Sequence, residues 1–331
     1  MHMAKVLLFP QESPAIPESS LLESVIPEAS PPSGPTLPLN GQNRLAVSLL
    51  KRKVNAVYCQ FPSALTGDEE AIHQLRVAGR RLRVALPLLV VKPDGRRALR
   101  ALNLLRCLTQ TAGSSRDLDV LVASYDERLR ALPSRTAEQK LLRNRLTSAR
   151  RRSRTIMASS LLDLEISRLR NDLTKLVLRG GPPPSVICER FAAMCSHESR
   201  CLHEGFTKLG ARLDVTSLHS LRRRARRLRY AVEVFDQIRS YQSSATKPWK
   251  MIQDLIGVLH DHHVLAKWFD DQAKNDLKCG KNALAVAANE EAAWARATMR
   301  RLHKELLAAN PIAIVAQGLS ELGQASPVSY E

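Results

Sequence analysis

Residues 72–83, IHQLRVAGRRLR, return 146 positions later as LHSLRRRARRLR at 218–229. The same histidine and the same three arginines stand at the same offsets in both. An α-helix turns about 100° per residue, so His73, Arg76, Arg80 and Arg83 fall within an arc of roughly 80°. His219, Arg222, Arg226 and Arg229 repeat that stripe. Leu75, Leu82, Leu86 and Leu89, and in the second copy Leu221, Leu228, Val232 and Phe235, lie on the opposite side and can face a core. Each copy therefore reads as a helix with an apolar back and a cationic front.

Like charges at these spacings repel by a few tenths of a kcal/mol per pair, and no interleaved glutamate relieves them. A solvated charged face is the ordinary explanation of one such stripe. It gives no reason for a histidine to recur at the same phase. Guanidinium forks grip phosphate oxygens in pairs, and an imidazole can add a donor beside an anion. At about 1.5–3 kcal/mol for each charge-assisted hydrogen bond, two such helices facing each other would suit a string of phosphates.

Outward from these helices the apolar residues keep helical spacing, and no alternating β-branched runs bounded by turns appear, so the fold class is all-α. Breaks are expected near 62–68, 92–95, 113–115, 133–134, 179–185 (RGGPPPS), 210–216, 243–248 and Gly280. A second pair of segments supports an internal duplication. LRCLTQTAGSSRDLDVL from Leu105 aligns with WKMIQDLIGVLHDHHVL from Trp249, placing Gly113 on Gly257, Arg116 on His260 and Asp117 on Asp261 at an offset of 144. The expected organisation is a half at 44–180 and a half at 185–306, each a helical bundle around its own apolar seam, followed by a C-terminal tail at 307–331. Residues 1–43, rich in Pro and Ser, read as a disordered tail.

The chain has 331 residues with 50 Lys and Arg against 32 Asp and Glu, a net charge of +18 and a pI near 10.1. Residues 1–43 hold one lysine and four glutamates, so the basic excess belongs to the remainder. Such an excess speaks of partners: an anionic polymer, an anionic surface or acidic small molecules. Six cysteines form no CxxC pair, which fits a reducing compartment. No apolar run approaches the ~18 residues of a membrane span and VLLF is too short for a signal core, so the expected location is cytoplasmic, without a membrane partner.

The two helical motifs, each followed at matching distance by AGSSRDLDVL or LIGVLHDHHVL, resemble the conserved-histidine α-helical domain family, CHAD. The resemblance spans most of residues 44–306. It implies two antiparallel four-helix bundles related by a pseudo-twofold axis, with a central basic channel that binds inorganic polyphosphate and directs the protein to polyphosphate granules. Carried onto this chain, the binding residues would be His73, Arg76, Arg80, Arg83, His219, Arg222, Arg226 and Arg229. Arg106, aligned with Lys250, and Arg116, aligned with His260, are expected secondary contacts. Binding of this kind needs no catalytic residue, cofactor or metal.

Several features depart from the pattern or compete with it. Pro87 should kink or end the first motif helix after about Val84, and Gly79 should weaken it. Asp117 and Asp261 suggest helix caps or arginine orienters. HDHH at 260–263, with His219 and Asp276, invites a metal-dependent phosphohydrolase, but its aligned partner is RDLD and arginine does not ligate metals. Cys188, Cys195, His197, Cys201 and His203 lack zinc-finger spacing. Nucleic acid is the main non-enzymatic rival, since any basic groove gains from counterion release. The chain has only 3 Trp, 5 Tyr and 6 Phe, few for base stacking. The basic run at 143–154 could extend a channel or coat a solvated face.

Overall fold

The computed structural model describes residues 41–239, 244 and 246–324, and the expected disordered stretch falls almost wholly outside them. Over the described residues the chain is helical, without strands. Helices α1 (Gly41–Tyr58), the short α2 (Phe61–Leu65), α3 (Glu69–Leu89), α4 (Arg96–Arg130), α5 (Ala137–Leu162) and α6 (Ile166–Leu178) precede the Gly-Gly-Pro-Pro-Pro break. Helices α7 (Pro184–Thr207), α8 (Val215–Arg239), α9 (Thr246–Lys278), α10 (Asn282–Ala308) and α11 (Pro311–Gln324) follow it. None of the described helices is long and apolar enough to cross a membrane.

The two motif helices begin on acidic caps. Asp68 accepts a hydrogen bond from the Ala71 amide at 2.7 Å, with Glu69 and Glu70 in the first turn of α3. Asp214 Oδ1 accepts from the Thr216 and Ser217 amides at 3.0 and 3.2 Å at the start of α8. The apolar backs are buried as the periodicity requires, with Leu75, Leu82 and Leu86 fully enclosed on α3 and Leu221, Leu228 and Val232 on α8.

Packing follows one scheme twice. Helix α1 lies on α3, α3 on α4, α4 on α5, and α6 closes over α4 and α1. In the same order α7 lies on α8, α8 on α9, α9 on α10, and α11 closes over α9 and α7. Between the halves, α3 meets α8, α4 meets α9 and α5 meets α10, while the contact of α3 with α7 is matched by that of α8 with α1. Helices thus meet their own counterparts, the pattern that a twofold exchange of equivalent halves would give.

Three expectations are corrected. First, the interior is not divided by half. One large core takes α1, α3, α6, α7, α8 and α11 with the adjoining parts of α4, α5, α9 and α10. A second core is built jointly by the far ends of the α4–α5 and α9–α10 hairpins, where Tyr125 meets Phe269 edge-on at 4.9 Å. The hairpins are too long to be covered by their own half, so their ends bury apolar surface against each other. Second, residues 311–324 of the expected C-terminal tail form α11, the counterpart of α6, with Ile314 and Val315 buried and Trp249 against Gly318. Residues 325–331 lie outside the described ones. Third, no break occurs at 113–115, where α4 runs on without interruption.

Pro87 does not end α3 early either. The helix continues to Leu89, and its terminal carbonyls are taken up by a residue of the other half: Arg190 on α7 donates to the oxygens of Pro87, Val90 and Val91 at 3.3, 2.6 and 3.1 Å. Gly79 has a packing reason. A Cβ there would stand 2.6 Å from Thr109 Cγ2, so its absence lets α3 approach α4 closely. At the equivalent position α8 carries the fully buried Ala225.

Candidate anion-binding site

The contact of α3 with α8 brings the two cationic faces together. Arg226 from one half lies close enough to Arg80 from the other to depress its acidity constant. Burial, then Arg226 and Arg76, pull Arg80 down to about 9. Burial, then Arg222, with further contributions from Arg76 and Arg229, pull Arg226 down to about 10. Arg83 is lowered by burial, then by Arg106 and Arg227. Among the described residues none of Arg80, Arg83, Arg222 and Arg226 has a carboxylate within ion-pair distance.

Arg80, Arg83, Arg106 and Arg226 line a cavity of about 490 Å³ between α3, α4, α7 and α8, with Arg223, Arg227 and Tyr230 completing its second-half wall. The remaining expected residues surround this centre in different states. Arg76 donates from Nη1 to Asp117 at 2.7 Å and to the Gly113 carbonyl at 3.0 Å. Arg222 lies against α9 at Gly257, where a Cβ would be 3.1 Å from its Nη2. Arg229 is engaged, pairing with Glu233 at 3.2 Å and covering the Tyr230 ring. His73 is half-buried, its basicity lowered by burial and then by Arg116.

Both aligned glycines therefore do one job on long helices. Gly113 stands beneath the Arg76 guanidinium and Gly257 beneath that of Arg222, leaving each arginine room on the backbone of the neighbouring helix. Their equivalence was visible in the alignment, but their role was not. Asp117 and Asp261 lie within α4 and α9 and cap neither. Asp117 orients Arg76. Burial pushes Asp261 up to about 6 against the pull of Arg222, with Asp117 adding to the rise.

The secondary contacts divide. Arg106 lines the cavity. Arg116 is tied to Glu69 at 3.0 Å, and Lys250 is exposed beside Asp254. His260 meets His219 edge-to-face at 4.9 Å, and burial, then Arg222 and His219, draw it down to about 4. Buried Nε atoms of Arg76, Arg222 and Arg229 and Nδ1 of His260 lack hydrogen-bond partners, so donor capacity is left over around the same junction.

Of the residues of the metal reading, His219 and His260 meet, but among the described residues no three His, Cys, Asp or Glu side chains group so as to hold a metal ion. His262 Nδ1 lies 2.9 Å from the Val258 carbonyl and packs near Trp294, while Asp276 binds Arg145 at 2.7 Å. The basic run at 143–154 is largely neutralised: Arg143 pairs with Asp126, Arg145 with Asp276, and Arg154 with Asp119 and Glu69. Cys195 is buried, its thiol pushed up to about 12 by desolvation, and the six cysteines are free. Arg223, Arg227 and Tyr230 were missed as wall residues. The signal was the unbroken RRRARRLRY run, which a single-stripe reading truncates.

The fold is similar to that of a solved structure described as the crystal structure of the CHAD domain from the plant Ricinus communis, with a TM-score of 0.62 and 20% identity over 81% of this chain and 92% of that one. No curated protein matches the sequence. The sequence matches the CHAD domain over residues 48–270, more than half of its length and including both arginine-bearing helices. The chain belongs to the CHAD domain family.

Proposed function

We propose that this protein binds inorganic polyphosphate at the junction of α3 and α8, as a binding module and not as a catalyst. One observation carries the reading: Arg80 and Arg226, the same position in the two halves, are gathered with Arg83 and Arg222 into a half-buried cluster without carboxylate partners, although carboxylates pair with most arginines around it. Such a cluster is unfavourable until an anion enters. A polymer carrying a charge on every phosphate relieves several arginines at once and releases its own condensed counterions. The histidines at the N-terminal ends of the two stripes, held neutral by burial, offer donors without adding to the repulsion. In a cell this affinity would bring the protein to polyphosphate granules in the cytoplasm.

The test is competition at fixed salt between long-chain polyphosphate and DNA of equal total charge, duplex and single-stranded. Polyphosphate should win, and replacing Arg80, Arg222 and Arg226 together by Gln should remove most binding. The same change at Arg150, Arg151 and Arg152 on α5 should remove little. Preference for DNA, or equal losses from the two triple variants, overturns the proposal.

A further inference from the structure

The arginine cluster opens to one side. Its cavity shares Arg223 and Arg227 with a hollow of about 250 Å³, and that hollow shares Ser220 and Arg224 with a third depression of about 430 Å³ that reaches Lys208 and Arg212. Together they follow the outer face of α8. From Ser217 to Arg227 this is about 15 Å of helix at about 1.5 Å per residue.

The wall is held in place. Glu198, buried on α7, takes Arg224 at 2.9 Å with one oxygen and Arg227 at 3.0 Å with the other, fixing both along the hollow. Arg223 is exposed and has no carboxylate within ion-pair distance among the described residues, so the segment stays cationic. The other carboxylate on the path, Asp214, is occupied at the start of α8 by the Thr216 and Ser217 amides and the Ser217 hydroxyl. The first half has no such track: at the positions of Arg223 and Arg224, α3 carries Val77 and Ala78. The duplicated motif is thus symmetric on its inward stripe and asymmetric on its outward one.

We infer that a long polyanion leaves the central cluster along α8 toward Lys208 and Arg212, so that the binding site has a one-sided extension beyond the paired stripes. This rests on the polyphosphate reading and adds to it a second, length-dependent site. Short chains fill only the cluster, and chains long enough to reach Lys208 gain further contacts.

The experiment compares tripolyphosphate with long-chain polyphosphate on the full chain, for the natural sequence, the variant K208Q/R212Q and a charge-matched control, K274Q/K278Q, at exposed positions at the end of α9. Arg224 and Arg227 stay in place because Glu198 needs them, and Arg223 because it also lines the central cavity. The K208Q/R212Q variant should bind long chains about tenfold more weakly, and its log–log salt slope should fall by about 1.5, at 0.7–0.9 per lost contact. Its tripolyphosphate affinity should be unchanged, and the control should lose less than threefold on either ligand. An equal loss on both ligands, or a control loss as large as that of K208Q/R212Q, overturns the extension while leaving the central site standing. No binding of either ligand by the natural sequence overturns the underlying reading as well.

Discussion

If Arg80 and Arg226 are held together for a ligand, removing either should make the empty protein more stable. Both keep their charge at pH 7, since their acidity constants of about 9 and about 10 still lie above neutrality. A base whose constant falls on folding destabilises the fold fully below both values, and the penalty shrinks as pH rises from the folded value to the unfolded one. At 1.36 kcal/mol per unit, the fall of Arg80 from the ordinary guanidinium value to about 9 corresponds to roughly 4–5 kcal/mol. Solvent reaching the guanidinium and counterions in the cavity reduce this to about 1–2 kcal/mol. The Arg80→Gln variant should therefore melt about 2–6 °C higher than the natural chain at low salt, and Arg226→Gln should behave alike. Because part of the Arg80 penalty is its repulsion by Arg226, the double variant should gain less than the sum of the singles, a difference that a double-mutant cycle reads directly. Tripolyphosphate at a hundred times its dissociation constant should stabilise the natural chain by about 2.7 kcal/mol and the double variant hardly at all. Thermal melts at 20 and 300 mM salt, with and without ligand, decide the matter. Lower stability of the empty single variants, or a full ligand-induced shift in the double variant, would show that these arginines serve the fold.

Four further outcomes follow from the same geometry. Asp261 lies near Arg222, Arg76, Arg116 and Asp117 and loses its charge as pH falls through about 6. Polyphosphate affinity at constant ionic strength should rise between pH 7.5 and 5.5, and the Asp261→Asn variant should bind tightly throughout, with a flatter profile. His260, drawn down to about 4, stays neutral across that window, so His260→Asn should leave the slope in place. Gly257→Ala puts a methyl 3.1 Å from Arg222 Nη2 and should weaken binding several-fold in titration calorimetry without loss of helicity, whereas Gly113→Ala, 3.7 Å from Arg76 Cζ, should change little. Gly79→Ala places its Cβ 2.6 Å from Thr109 Cγ2 and should lower the melting temperature despite the better helix propensity of alanine, with Thr109→Ser restoring much of the loss.

The helices and the duplication were legible because they rest on local periodicity and on repeated residues at fixed offsets. The inward phase of Arg80 and Arg226 could be read for the same reason: the buried leucines opposite them set the rotation of each helix. Glycine misled. On α4, Gly113 looked like a break because the sequence shows its cost to the helix and hides the guanidinium it accommodates. Gly79 looked like a weakness for the same reason. The helical spacing of PIAIVAQGL was legible, but its place in the second half was not, since it has no counterpart by residue identity in the first half. Its equivalence to α6 lies in what it covers. The states of the arginines were also hidden, since Arg76, Arg83 and Arg229 occupy similar places in one pattern while only Arg76 meets Asp117 and only Arg229 meets Glu233.

Duplication itself explains why the unpaired charge gathers where it does. When two equivalent halves pack so that α3 meets α8, any cation on the facing stripe is met by its own copy, and repulsion at the junction is built in. A carboxylate on the same stripe would likewise meet a carboxylate, so counter-ions for this cluster cannot be added symmetrically without a new conflict. The pair that does cross from α3 to α8, Arg81 with Glu233, is one-sided, since α3 carries Pro87 at the position of Glu233. Other pairs lie off the junction, as with Glu198 under Arg224 and Arg227, or Asp172 under Arg97 and Arg100. An anion supplied from outside would resolve the conflict for both halves together, and on the reading proposed above a linear polyanion would do so at Arg80 and Arg226 along one path. Changes away from the junction are free of this constraint. The second half could thus acquire Arg223 and Arg224 where the first keeps Val77 and Ala78, so a track that departs on one side is compatible with a centre that remains symmetric.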